Sequence, residues 1–306
     1  MPISYRSINR SRRRHRAKRS DEGRTLMSNA YLVWTRNSAF VESEAYRTDD
    51  RLVQEAARKG YRALIDEYVY IDTAEVVRLF SLVPGVKETF RGVGADLGGG
   101  VGCISASIAG LPGVAQIYCV EIVESASKLA HPVVVGTILG EQRHKVTSVV
   151  GDFDHLEIPD ASLDFAVAWD SMHHSQDPVR TFLECRRVLK PGGSLVVVDR
   201  GHNNTTPDSE IERMLNIKYS REWLIKNYRD PDVPFSRREY GEHEYRWREW
   251  ESFFERAGLR IRAAGIVKTA PPRTPPNDAG YPETLVDFEV GAHNQSKVCY
   301  LLEPAA

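Results

Sequence analysis

An α/β fold is predicted: a doubly wound, mostly parallel seven-stranded sheet with a helical cap. Three observations carry this. Apolar runs alternate with helical patterns between Val93 and Val198, which calls for parallel strands joined by right-handed crossovers and covered on both faces. The first run ends in a glycine turn, VGADLGGGVGCISASIA over 93–109, that leads directly into an apolar helix. The rhythm breaks only in a helical stretch before the first strand and a long charged stretch after the fifth.

At the N-terminus, Arg6 to Arg19 contains eight Arg or Lys and no acid, leaving 33 basic against 42 acidic residues elsewhere. With few apolar residues to bury, residues 1–26 read as a disordered basic arm, with one domain over 27–306. The arm suits a polynucleotide or an anionic membrane surface. It reads equally as a solvated tail, or as an extension upstream of a start at Met27. In the preface, 45–88, apolar side chains such as Leu52, Val53, Leu64, Val76 and Phe80 predict two or three helices, broken at Tyr68 to Asp72 and ended by Pro84-Gly85.

The core follows in order. The first strand ends at Asp96, and its helix starts near Val101. Strands are predicted at Gln116–Glu121, Lys145–Val150, Leu163–Trp169 and Ser194–Val198, with helices at Val133–Leu139 and Val179–Leu189. Pro132 stands where a first helical turn tolerates it. The insertion, 201–246, is rich in aromatics, with one helix expected from Ser209 to about Asn227; it reads as a lid over a substrate or as a dimer contact. Trp247–Ala257 reads as a helix stopped by Gly258, and Leu259–Val267 and Ser296–Leu302 as the last strands. Pro271, Pro272, Pro275 and Pro276 lie in the loop between them.

The formal net charge of −1, 42% apolar and 27% charged residues describe a globular chain with no charge preference for a partner. Cys103, Cys119, Cys185 and Cys299 lack metal-site spacing and read as buried thiols in a reducing compartment, so the cytoplasm is the expected location. No run is long and apolar enough for a membrane span.

Ligands of parallel sheets sit at the carboxyl ends of strands near the switch point. Glycines at 98, 99, 100 and 102 let the backbone approach a ligand closely. Glu121, 25 residues beyond Asp96, ends the second strand, where a bidentate carboxylate meets a ribose hydroxyl pair. In GDFDHL, Asp152 can accept from an exocyclic amine and Phe153 can lie against a purine, although Asp154 competes with Asp152. A nicotinamide-dependent oxidoreductase shares the glycine turn and the acid.

Taken together and in order, ADLGGGVG, YCVE, GDFDHL, LDFAVAWDSMHHSQDP and ECRRVLKPGGSLVVVD resemble the motifs of class I S-adenosylmethionine-dependent methyltransferases over roughly Phe90 to Val198. The resemblance implies a Rossmann-like methyltransferase fold and S-adenosylmethionine as cofactor. It implies that Asp96, Gly98 and Gly100 border the methionine part, with Gly102 in the same cofactor-binding turn, that Glu121 holds the ribose, that Asp152 and Phe153 hold adenine, and that Trp169 and Asp170 line the pocket from the fourth strand. Catalysis in such a site is mostly placement of a nucleophile in line with the methyl and exclusion of water.

For a hydroxyl acceptor a histidine near the mouth suits the role of base: His173 or His202, then His174, whose position in the family commonly serves loop structure. Asp170, Asp199, Asn203 and Asn204 could donate oxygen to a divalent ion, but no distinctive spacing supports one, and no metal is expected. The fourth strand lacks a proline-rich amine-methylating motif. The expected reaction is methylation of a small molecule, such as a hydroxyl oxygen of a secondary metabolite or sugar. The alternatives are a nucleic-acid methyltransferase guided by the arm, the oxidoreductase, and a cofactor-binding protein without turnover.

Overall fold

The computed structural model describes residues 31–36, 41–69, 73–269 and 296–305. The basic arm and the Pro271–Pro276 loop lie outside the described residues. Strands β1 Leu32–Val33, β2 Gly92–Leu97, β3 Val114–Glu121, β4 Val146–Val150, β5 Leu163–Trp169, β6 Leu189–Gly201, β7 Leu259–Thr269 and β8 Ser296–Pro304 form one sheet in the order β1-β4-β3-β2-β5-β6-β8-β7. All pairs from β1 to β6 are parallel, and β8 runs antiparallel to β6 and β7. The chain winds outward from β2 to β4, then returns beside β2 with β5, so the switch point lies between β2 and β5.

The seven expected strands are present, and two-residue β1 adds an eighth at the edge, in a stretch without periodicity. It is held by parallel pairing with β4 and by the Trp34 amide donating to the Val150 carbonyl at 2.9 Å.

Helices α1 Glu44–Arg58, α2 Tyr61–Tyr68, α3 Thr73–Phe80 and α4 Val86–Thr89 precede β2. Helices α5 Cys103–Ala109, α6 His131–Leu139 and α7 Pro178–Val188 are the crossovers. The insertion carries α8 Asp208–Leu215, α9 Arg221–Lys226 and α10 Arg237–Tyr240, and α11 Trp247–Arg256 leads back to the sheet. The single helix expected over Ser209–Asn227 is two, α8 and α9. The Ser220 hydroxyl accepts the Trp223 amide and caps a new N-terminus, while Tyr219 turns aside to pair with the Phe235 backbone.

Each face of the sheet has its own apolar layer. Phe80, Val86, Ile104 and Ile108 from α3, α4 and α5 pack on Phe165 and Val167; Phe182, Trp250 and Phe254 from α7 and α11 pack on Ala166 and Leu195 on the other side. Burial of one such large side chain stabilises by about 1.5–3 kcal/mol. Val53, Ala56 and Leu64 of α1 and α2 pack on Val123, Ala130 and Val133, which carries the preface to the carboxyl ends of the strands.

There the preface meets the insertion. Tyr240 Oη donates to Asp49 Oδ1 at 3.1 Å, an Arg51 guanidinium N–H donates to the Tyr228 carbonyl at 2.6 Å, and Lys59 Nζ donates to Tyr228 Oη at 2.8 Å. Arg229 pairs with Glu44. Two stretches more than 150 residues apart thus form one cap. No helix of the described residues is long and apolar enough to cross a membrane.

Candidate active site

The turn after β2 carries Gly98 at φ +74°, Gly100 at +55° and Gly102 at +89°, a left-handed backbone that glycine adopts at least cost. A Cβ on Gly98 would stand 2.5 Å from Ser171 Cβ, whereas one on Gly100 would meet nothing within 4 Å. The turn is therefore pressed against the loop after β5 at one point and open at the next. This separates two outcomes. Gly98→Ala is expected to lose stability by the left-handed strain of about 1–2 kcal/mol plus the clash, read as a lower melting temperature. Gly100→Ala carries the same left-handed strain but no clash, since its methyl has room, so it is expected to lower the melting temperature less than Gly98→Ala while weakening cofactor binding; equal melting losses would remove the distinction.

Glu121, at the end of β3, faces this turn. Its Oε2 accepts the Gly100 amide and its Oε1 the Val123 amide, both at 2.8 Å. Burial pushes its carboxyl up to about 7, against these backbone hydrogen bonds. A carboxylate accepts about four hydrogen bonds, so a hydroxyl pair finds acceptors here. Beneath the turn, Asp96 accepts from Ser105 Oγ at 2.6 Å, its other oxygen is buried without a partner, and burial pushes it up to about 6. Buried His131 holds the turn from below, with Nε2 2.9 Å from the Gly100 carbonyl and Nδ1 3.0 Å from Ser148 Oγ.

Asp152, at the end of β4, is buried and accepts the Asp154 amide at 2.8 Å. Phe153 is half-buried, and a Cβ on Gly98 would lie 3.7 Å from its ring. Asp154 instead accepts from Thr181 and, at 3.5 Å, from Ser175, facing α7. Open Gly100, the acceptor capacity of Glu121 and the ring of Phe153 beside Gly98 together fit a nucleoside-bearing cofactor. Trp169 is drawn instead into the apolar layer, edge-on to Phe80 with ring centroids 5.3 Å apart.

The three histidines have separate fates. His173 is 1% exposed: Nδ1 lies 2.8 Å from Asp199 Oδ1 and Nε2 2.6 Å from an Arg200 guanidinium nitrogen. Burial and Arg200 oppose its protonation, but Asp199 and Glu242 outweigh them and raise its pKa. His202 is fully buried, with Nε2 2.5 Å from Glu244 Oε2. Both stand in an ionic network that ties β6 to the insertion: Arg200 pairs with Glu242 at 2.9 Å, Arg237 with Glu244 at 2.5 Å and Glu242 at 3.4 Å, and Asp170 with Lys297 at 2.5 Å. Against the cost of burial, Arg200 and its neighbours hold Glu242 down to about 2, and Lys297 and Arg200 hold Asp170 well below the carboxylate range.

Only His174 of the three keeps open surface. Its Nδ1 lies 3.1 Å from the Gly241 carbonyl, and burial, with the charge of His173, brings its pKa down to about 4. It is therefore neutral at pH 7, and donation from Nδ1 leaves a lone pair on Nε2. His173, His174 and Glu242 place ligand atoms within 4.8 Å of one another, as do Asp170, His173 and Asp199, but the Arg200 guanidinium lies against His173 Nε2, where it repels a metal ion.

Asp49, Arg200, Arg237, Tyr240 and Glu242 escaped the sequence reading. Alternating charge in GEHEYR, 241–246, was the signal available for the last.

Residues 95–197 match the family model described as a methyltransferase domain. The chain is 29% identical over 136 residues to a demethylmenaquinone methyltransferase of Thermobifida fusca, covering 43% of this chain and 52% of that one, so it spans about half of that relative. A structure assigned as a sarcosine dimethylglycine methyltransferase of Galdieria sulphuraria superposes with a TM-score of 0.52 at 18% identity, covering 75% of this chain and 84% of the other. The cyclase SpnF superposes at 0.51 and 18%, covering 75% and 81%. With the strand order, the glycine turn and Glu121, these findings show a class I methyltransferase-type fold and a match of residues 95–197 to the methyltransferase domain family. S-adenosylmethionine is the cofactor of that family.

Proposed function

We propose that the protein transfers a methyl group from S-adenosylmethionine to a hydroxyl oxygen of a small molecule, a secondary metabolite or a sugar. One observation supports the size of the acceptor: the two cap pieces are joined to each other through Asp49–Tyr240 and Arg51–Tyr228, and a site covered by such a cap suits a small molecule better than a polymer. Four buried free thiols support a reducing compartment, the cytoplasm.

The cofactor, when bound, supplies an electrophilic methyl on a cationic sulfur. Gly98, Gly100 and Glu121 border and orient it, Phe153 and Asp152 receive its base, and the cap excludes water. His174 takes the hydroxyl proton at Nε2. A weak base suffices, because that proton becomes strongly acidic as the new C–O bond forms. His173 and His202, locked in the ionic network, hold the loop rather than exchange protons with the acceptor.

The test is transfer from labelled S-adenosylmethionine to a fractionated cell extract, with Glu121→Gln as the matched control. Label on a small metabolite with the intact protein alone supports the reading; label on RNA or DNA, or none, removes it. His174→Asn is expected to lower kcat by about 10²–10⁴ with cofactor affinity unchanged. Because neutral His174 is lost only as pH falls through about 4, the acid limb of the rate is expected near pH 4 rather than near 6.5. An unchanged kcat would remove His174 as the base.

A further inference from the structure

We infer that His131 is a positioning residue for the cofactor: acting through Gly100, it holds the Glu121 carboxylate in the pose that receives the ribose. This rests on the reading of the turn after β2 as the cofactor site.

Gly100 has the least packing of the turn glycines to hold it. It is exposed, stands at φ +55°, and a Cβ there would meet nothing within 4 Å; a glycine so placed reorients its peptide groups at little cost. Both of its polar groups are nevertheless engaged. The amide donates to Glu121 Oε2 at 2.8 Å, and the carbonyl lies 2.9 Å from His131 Nε2. The amide belongs to the peptide group before Gly100 and the carbonyl to the one after it, so the two bonds together fix both dihedral angles of the glycine. Gly100 thereby links the ribose acid to a histidine.

His131 is well anchored for that task. It is 1% exposed and opens α6 directly after a π-helical turn over Ala126–Ala130, a device frequent at functional sites. Val135 stands one turn further along α6. A Cβ on Gly102 would come within 3.0 Å of Val135 Cγ2 and 3.2 Å of His131 Cδ2, so the glycine turn sits directly on this face of the helix. Cys119 Sγ lies 3.6 Å from His131 Nε2, and a Cβ on Gly99 would stand 2.4 Å from that sulfur. The space beneath the turn is filled on both sides of the ring.

The partners also fix the tautomer. A carbonyl only accepts, so Nε2 carries the hydrogen. Burial brings the pKa of the ring down to about 4, so it is neutral at pH 7 and Nδ1 holds a lone pair. Ser148 Oγ on β4, 3.0 Å away, donates to it. A chain of three hydrogen bonds thus runs from Ser148 through His131 and Gly100 to Glu121.

Calorimetric titration of the wild-type protein with S-adenosylmethionine comes first; no binding removes the cofactor reading, and the inference falls with it. Given binding, His131→Leu keeps the bulk and loses the N–H, and is expected to raise Kd about three- to tenfold, the range of one neutral hydrogen bond. His131→Gln, whose carboxamide N–H reaches the Gly100 carbonyl, is expected to stay within about twofold of wild type. His131→Asn reaches Ser148 but stops short of Gly100. It is expected to behave as His131→Leu and serves in its place if the leucine variant does not fold. An unchanged Kd in the Leu or Asn variant, or an equal loss in the Gln variant, overturns the inference.

Two further readouts separate this role from simple packing. In the Glu121→Gln background His131→Leu is expected to add less than about twofold, because the acid that it serves is already impaired; additive losses overturn the inference. Nitrogen NMR of histidine-labelled wild-type protein at pH 7 is expected to place the His131 proton on Nε2. A proton on Nδ1 instead would leave the Gly100 carbonyl without its donor and overturn the inference as well.

Discussion

Glu121→Gln is expected to weaken S-adenosylmethionine binding by one to two orders of magnitude while leaving the protein folded. The carboxylate accepts the Gly100 and Val123 amides, one on each oxygen. An amide side chain has one oxygen, so its NH₂ must face one of those backbone N–H groups, and the acceptors left for a ribose hydroxyl pair are halved. Loss of a hydrogen bond to a charged group costs about 1.5–3 kcal/mol. Calorimetric titration with the cofactor reads this directly; an unchanged Kd would remove Glu121 from the ribose site.

The same variant carries a pH signature. Burial pushes the Glu121 carboxyl up to about 7, so between its unfolded pKa and pH 7 the native state holds a proton that the unfolded chain has lost. Wild-type stability therefore falls as pH rises through this window, being greatest below it. Glu121→Gln is expected to flatten that slope in urea unfolding between about pH 4.5 and 7. An identical slope in the two proteins would mean that the group does not titrate in that range.

Arg237→Met is expected to be the most destabilising single change in the cap. Arg237 is 1% exposed and lies between Glu244 at 2.5 Å and Glu242 at 3.4 Å, both of them buried. Its removal leaves two carboxylates to share Arg200, and breaking a buried pair costs about 3–5 kcal/mol. In a chain of this size that is roughly 10 °C in melting temperature. Glu244→Gln in the Arg237→Met background is expected to recover part of the loss, since it removes one of the stranded charges. Additive losses in the double variant would show that the two residues act separately.

The helix-and-strand alternation from Val93 to Val198, the glycine turn, and the acids at 96, 121 and 152 were all legible in the chain. Each depends on local pattern: strands buried on both faces read as apolar runs, and a turn that needs positive φ reads as glycine. The place of Glu121 followed because a strand end fixes where its next side chain stands. The histidines were not legible in this way. His173 and His174 are adjacent and chemically alike, yet one lies against Asp199 and Arg200 while the other faces Gly241. That difference comes from residues 26 to 67 positions away, and periodicity carries nothing about such pairings. The cap is the same case. Asp49 and Tyr240 are 191 residues apart and meet because α1 and α2 pack on α6 while the insertion folds back over β6. Local sequence thus specified the sheet and the cofactor turn, whose contacts are short in range or repeat along the chain. Long-range packing specified which ionisable groups are buried and neutralised and which keep open surface, because burial and counter-charge are properties of neighbours in space.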